Sequence, residues 1–81
     1  GNSEGTAHVV EGEGTATARK LAVTFTNSAV FASSKSYLCT GYDETREVPI
    51  LSIAYASGTQ VTFEYFTGAA NDTIRFQCVG Q

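Results

Sequence analysis

The chain has no tryptophan, no methionine, a single proline and a single histidine among its 81 residues. It has only two cysteines, and charged residues make up just 16%. Each shortage removes a class of chemistry. One histidine and two cysteines give no His/Cys cluster, so a structural zinc site is not supported. A Ser-His-Asp or Cys-His site needs a histidine held by a third group on a rigid scaffold. His8 has no such support in the sequence around it and reads as a surface or packing residue. No glycine-rich loop leads into a helix, so a phosphate cradle is not indicated. No apolar run reaches membrane-helix length. Residues 1–20 lack a continuous apolar core and do not read as a signal peptide. A net charge of -3 and a pI near 4.8 argue against a nucleic-acid partner, whose phosphates demand a basic footprint.

What is present points to β structure. The most informative stretch is the last one, Asn71 to Gln81. Ile74, Phe76 and Cys78 fall on one side of a two-residue period, and Thr73, Arg75 and Gln77 on the other. Chain ends fray unless something ties them down, so an apolar strand here belongs inside a sheet. Further strands are predicted over Leu21–Thr26, Ser36–Tyr42, Val48–Ala56 and Thr59–Phe66, separated by Asn, Ser and Gly turns. Phe25, Phe63, Tyr65 and Phe76 follow the inward alternation. Helix signals are nearly absent, apart from room for one turn around Ser28 to Ser34. The pattern predicts an all-β fold, a small antiparallel β-sandwich of five to seven strands.

Residues 1–18 read as different material. Small residues and glycines dominate, with Val9 and Val10 the only sizeable apolar side chains. The expectation is an extended linker, or the end of a fibre shaft, over 1–18 and a sandwich head over 19–81. The start Gly1-Asn2-Ser3, without Met, reads as a cut from a longer protein, with residues 1–3 a cloning remnant. One domain of 8.6 kDa is small enough to need extra support from a disulfide, a metal or association. Cys39 and Cys78 both face inward. They read first as two buried thiols, with a bridge as the alternative, because a bridge needs Cα atoms within about 7 Å.

The candidate contact residues are Tyr42, Asp43, Arg46 and Tyr55. Tyr42 and Tyr55 lie opposite their strands' smaller inward residues, and tyrosine suits amphipathic contacts. Asp43, Glu44 and Glu47 surround Arg46 in a charged loop, which reads as a solvated turn rather than a calcium site. No catalytic, cofactor or metal residues are assigned, and the chain is not expected to be an enzyme.

The run Val23 to Ser34, the strand Tyr37-Leu38-Cys39-Thr40 and the ending Asp72-Thr73-Ile74-Arg75-Phe76-Gln77-Cys78-Val79-Gly80 resemble the C-terminal knobs of bacteriophage tail fibres and tail spikes. The resemblance spans Leu21 to Gln81 and rests most on the Cys and Gly before the terminus. It implies a homotrimeric β-sandwich head at the end of a fibre, contacting a bacterial surface glycan or protein receptor. It also implies a virion protein assembled in the host cytoplasm, where both cysteines stay thiols. The acidic 43–47 loop departs from the Ser/Asn-rich loops expected of such knobs. The competing expectation is a monomeric carbohydrate-binding or immunoglobulin-like module of a secreted bacterial protein, which calls for a Cys39–Cys78 bridge and exposed aromatics. A third is a purely structural assembly domain.

Overall fold

A computed structural model describes residues 6–81. The expected cloning remnant at residues 1–3 lies outside them. Among the described residues seven strands run in chain order: β1 His8–Thr15, β2 Lys20–Thr24, β3 Tyr37–Asp43, β4 Val48–Ile50, β5 Ser52–Ser57, β6 Gln60–Glu64 and β7 Thr73–Gly80. A single 3-10 turn at Asn27–Ala29 follows β2. The strands form two antiparallel sheets, β1-β7-β3-β4 and β2-β6-β5. Their inward side chains share one core.

The C-terminal strand is central. Strand β7 pairs along its whole length with β1 on one side and with β3 on the other. Ile74, Phe76 and Cys78 are buried, as the alternation predicts. The tail is therefore locked within a single copy of the chain. Both of its backbone edges are paired, so opening it breaks two ladders at once.

Two expectations are corrected at β7. Cys39 and Cys78 sit directly opposite each other, with Cα atoms 4.0 Å apart, and they are bonded to each other rather than held as free thiols. The N-terminal segment is also no separate linker from residue 8 onward. His8–Thr15 is an edge strand in register with β7 from His8↔Gly80 to Thr15↔Thr73. The glycines that made it look unstructured are packing residues. A Cβ on Gly12 would lie 2.6 Å from the Phe76 ring, and one on Gly41 would lie 2.8 Å from Phe63. Gly12, Phe76 and Gly41 are register partners on β1, β7 and β3. The two glycines leave the space that the large rings fill.

The predicted strand Val48–Ala56 is broken at Leu51. Strand β4 pairs with β3 in one sheet, and β5 pairs with β6 in the other. The chain changes sheets at this residue, and Leu51 is left 91% exposed on the corner.

All four sheet edges are blunted. Strand β1 carries Glu11 and Glu13 on its outer face, and β4 has three residues with Pro49 in the middle. Strand β2 is short, and β5 has a register shift between Tyr55 and Ser57. Short, charged, proline-bearing or bulged edges resist strand addition. Association of this domain is thereby steered towards its faces and ends.

Candidate functional site

The two ends of the sandwich are closed differently. At one end, aromatic rings stack. Phe31 lies between His8 and Tyr37, with ring centroids 4.4 and 4.2 Å away, and Phe25 meets Phe31 and Tyr37 edge-on. The Tyr37 hydroxyl donates to the carbonyls of Ser57 and Gln60, which ties β3 to the β5–β6 hairpin. Burial, then the neighbouring Tyr55, pushes the Tyr37 phenol up. His8 is engaged here. Its two ring nitrogens lie 2.8 Å from the Thr6 carbonyl and 3.3 Å from that of Ala29. A ring set between two backbone carbonyls, to one of which its single N–H can donate, and stacked on Phe31 is a packing element.

At the other end, a polar hub replaces the rings. The Arg46 Nε donates to Asp43 at 3.2 Å and to Asp72 at 3.1 Å, and Nη1 donates to the Thr67 hydroxyl. The guanidinium also lies 5.1 Å from the Tyr65 ring centroid. Asp43 caps its own turn by accepting from the Arg46 backbone N–H. Tyr65 accepts from the Asp72 N–H and donates to the Ala69 carbonyl. Both carboxylates are closed to solvent.

One arginine between two buried carboxylates splits their affinities for protons. Burial pushes Asp43 up, but hydrogen bonds with Asp72 and Arg46 outweigh it and hold the carboxyl below its usual range. The hydrogen bond with Asp43, reinforced by burial, raises Asp72 against the opposing pull of Arg46. The hub is thus a structural staple, and Asp43 offers no surface for a partner. Among the described residues no group of three or more His, Cys, Asp or Glu side chains converges as a metal site.

The four sequence candidates therefore separate. Asp43 is buried. Tyr55 is half-buried, and its hydroxyl turns inward to the Cys39 backbone, accepting from the N–H at 2.8 Å. It packs edge-on against Tyr37 at the margin of the core and keeps part of its surface exposed. Arg46 is partly exposed at the wall of a groove of about 440 Å³ with Pro49, Leu51, Glu64, Phe66 and Thr67. Tyr42 is exposed on the outer face of the four-stranded sheet. Tyr42 and Arg46 do not share a pocket.

That outer face is ordered in rows by the register. Val9, Val79 and Leu38 lie side by side across β1, β7 and β3 as one exposed apolar row. Next come Glu11, Gln77 and Thr40, then Glu13, Arg75 and Tyr42. Arg75 is ion-paired with Glu44. Hydrogen bonding with Glu44 raises the Glu13 carboxyl, while hydrogen bonds with Glu13 and Arg75 lower Glu44. A depression of about 370 Å³ lies over the Tyr42 region of this face.

Sequence reasoning missed Leu38, Leu51, Phe66 and Val79 as exposed apolar residues. For Leu38 and Val79 a signal existed, because each stands out of phase with the buried residues of its strand. Leu51 and Phe66 lie at strand ends, where alternation carries no information. Comparison of the chain with known protein families, curated proteins and solved structures gave no match.

Proposed function

We propose that this sandwich is a non-catalytic recognition head of a protein that works outside the reducing cytosol. The observation that carries the reading is the Cys39–Cys78 bridge. Disulfides form and persist in oxidising compartments, and small domains with a limited core depend on them. The bridge closes a segment 39 residues long in sequence and clamps the central strand β7 to β3. A rigid sheet so fixed is a good platform for side chains that meet a partner. The reading favours the secreted module weighed from the sequence.

A second reading, the trimeric fibre head, is favoured by a different observation. Val9, Val79 and Leu38 form an exposed apolar row, and the blunted edges leave faces as the route of association. In that reading the thiols close to the disulfide after release from the host, and the head meets a bacterial surface receptor. Cyclic symmetry would bury one such row per copy without forming filaments.

Three measurements test the proposal. Thiol titration of the unfolded, unreduced protein is expected to find no free thiol, and two would remove the observation it rests on. Binding of labelled protein to bacterial or other cell surfaces supports recognition, and silence across a broad panel contradicts it. Light scattering decides between the two parents. A mass of 8.6 kDa fits the secreted module, and about three times that mass fits the fibre head.

A further inference from the structure

From the outer face of the four-stranded sheet we infer a binding site for a neutral sugar ring, with Tyr42 as its stacking platform; the inference rests on the recognition-head reading and gives it a ligand and an address. Tyr42 is 42% exposed and lies on a strand whose neighbours on both sides fix its position. Arg75 is its register partner on β7 and Pro49 its partner on β4. Thr40 and Gln77 are opposite each other one step along the same face, with Glu11 beyond them on β1. All but Pro49 line the 370 Å³ depression, a size in the range of small-molecule sites. Gly41 and Phe76 also line it. Their side-chain positions face inward, so they contribute main chain as its floor.

The chemistry of this set selects its ligand. A pyranose presents an apolar C–H face and a rim of hydroxyls that both donate and accept. An exposed phenol ring covers the first. A carboxylate, an amide, a hydroxyl and a guanidinium around that ring match the second, because together they supply donors and acceptors in one plane. Strands about 4.8 Å apart and side chains about 7 Å apart along a face spread these groups over roughly 10 by 7 Å. That footprint suits one or two sugar rings.

The charge narrows the class further. Glu11 lines the depression, and Arg75 on its wall is the register partner of Glu13 and is already paired with Glu44. The local surplus is negative, so uronic and sialic acids are repelled and neutral hexoses or N-acetylhexosamines are admitted. Nucleic acid is disfavoured for the same reason. A peptide added as an extra strand would need an open edge, and the edges here are blunted.

The test uses the whole chain with methyl glycosides of neutral hexoses and N-acetylhexosamines, their disaccharides, and sialyllactose as the anionic probe. Amide chemical shifts on titration locate the site. The inference expects shifts centred on residues 40–42 and 75–77 with a neutral sugar. It expects at least about a tenfold loss of affinity in Tyr42→Ala and a smaller loss in Gln77→Ala, with Tyr42→Phe retaining most of the binding. Amide spectra of each variant report whether it is folded. Neutral-sugar binding untouched by Tyr42→Ala, with shifts around Arg46 and Phe66 instead, overturns the site while leaving the recognition reading standing. Tighter binding of sialyllactose overturns the assignment of ligand class. No sugar binding combined with retained cell-surface binding overturns the inference alone, and loss of both removes the recognition reading as well.

Discussion

The two ends of this sandwich solve the same problem by opposite means. Strand ends leave backbone groups and core edges that must be covered. At the His8–Phe31–Tyr37 end, stacked rings seal the core with apolar surface. At the Asp43–Arg46–Asp72 end, a charged hub seals it with hydrogen bonds. The apolar seal works without a matched set of charges and depends on tight packing. The polar seal requires every member in place, since a buried carboxylate without its partner is costly. The first end should fail by loss of volume, the second by a change of proton or partner.

The largest expected effect tests the apolar end. Phe31 is fully enclosed between two stacked rings and an edge-on third. Phe31→Ala should cost about 3–5 kcal/mol, read as a lower urea midpoint. That is a large share of the stability of a small domain. A melt unchanged from the parent would show that the stack is ornamental.

Opening the Cys39–Cys78 bridge should come next. The chain-entropy argument for a loop of this length gives about 4 kcal/mol, within the usual 2–5. Urea unfolding with and without reductant measures it. Because β7 runs from one end of the sheet to the other, both ends should weaken together. Amide exchange quickening at one end alone would refute that coupling.

The polar end should respond to a smaller push and to pH. Asp43→Asn removes a charged acceptor from the Arg46 N–H and guanidinium, and should cost about 1–3 kcal/mol. Asp72→Asn should behave differently. The fold raises the Asp72 affinity for its proton, so ionising Asp72 weighs against folding as pH rises through its raised value. The fold lowers the affinity of Asp43, so its contribution is present at higher pH and fades as pH falls through its lowered value. Between those two limits, which lie on either side of the ordinary carboxylate value, the hub is at its best. Melting curves against pH should show Asp72→Asn losing less stability than the parent on going from that window to pH 7. Parallel curves for parent and variant would contradict the split.

The smallest effect concerns the turn beside the hub. Ala18 and Arg19 link β1 to β2 with φ of 51° and 67°, a left-handed pair closed by hydrogen bonds between Thr17 and Lys20. Neither residue prefers that conformation, and an L side chain there costs about 1–2 kcal/mol. Arg19 is held by its N–H to Ala70, its carbonyl to Tyr65 and its Nε to Gly68. Ala18→Gly should therefore gain up to about 1 kcal/mol, a rise of a few degrees in Tm. A fall in Tm would mean that the methyl group of Ala18 contributes packing.

Much of the fold could be read from side-chain alternation. Strands β3, β6 and β7 follow from it, and so do Phe25, Phe63, Tyr65 and Phe76 as core residues. Alternation failed where the inward residue is glycine. Gly12 and Gly14 hide the inner face of β1 because the bulk that fills it, Phe76 and Leu21, comes from other strands. It failed again at Leu51, because crossing from one sheet to the other leaves no mark in a continuous apolar run. The Ala18-Arg19 turn lacks the Asn-Gly or Asp-Gly signature of its type. For the candidate site, Tyr42 and Arg46 could be picked out as polar-tipped residues near a loop. The burial of Asp43 could not, because it depends on Asp72, which is 29 residues later in the chain. Nor could the bridge, since cysteines 39 residues apart become neighbours only through the register of β3 on β7.

The fold depends on β7 being clamped between β1 and β3 within one molecule, and hydrogen exchange at concentrations dilute enough to give single copies tests that directly. Amides of residues 74–79 should exchange among the slowest in the chain, near the limit set by global unfolding. Fast exchange there in folded single copies, with protection returning only on association, would contradict it.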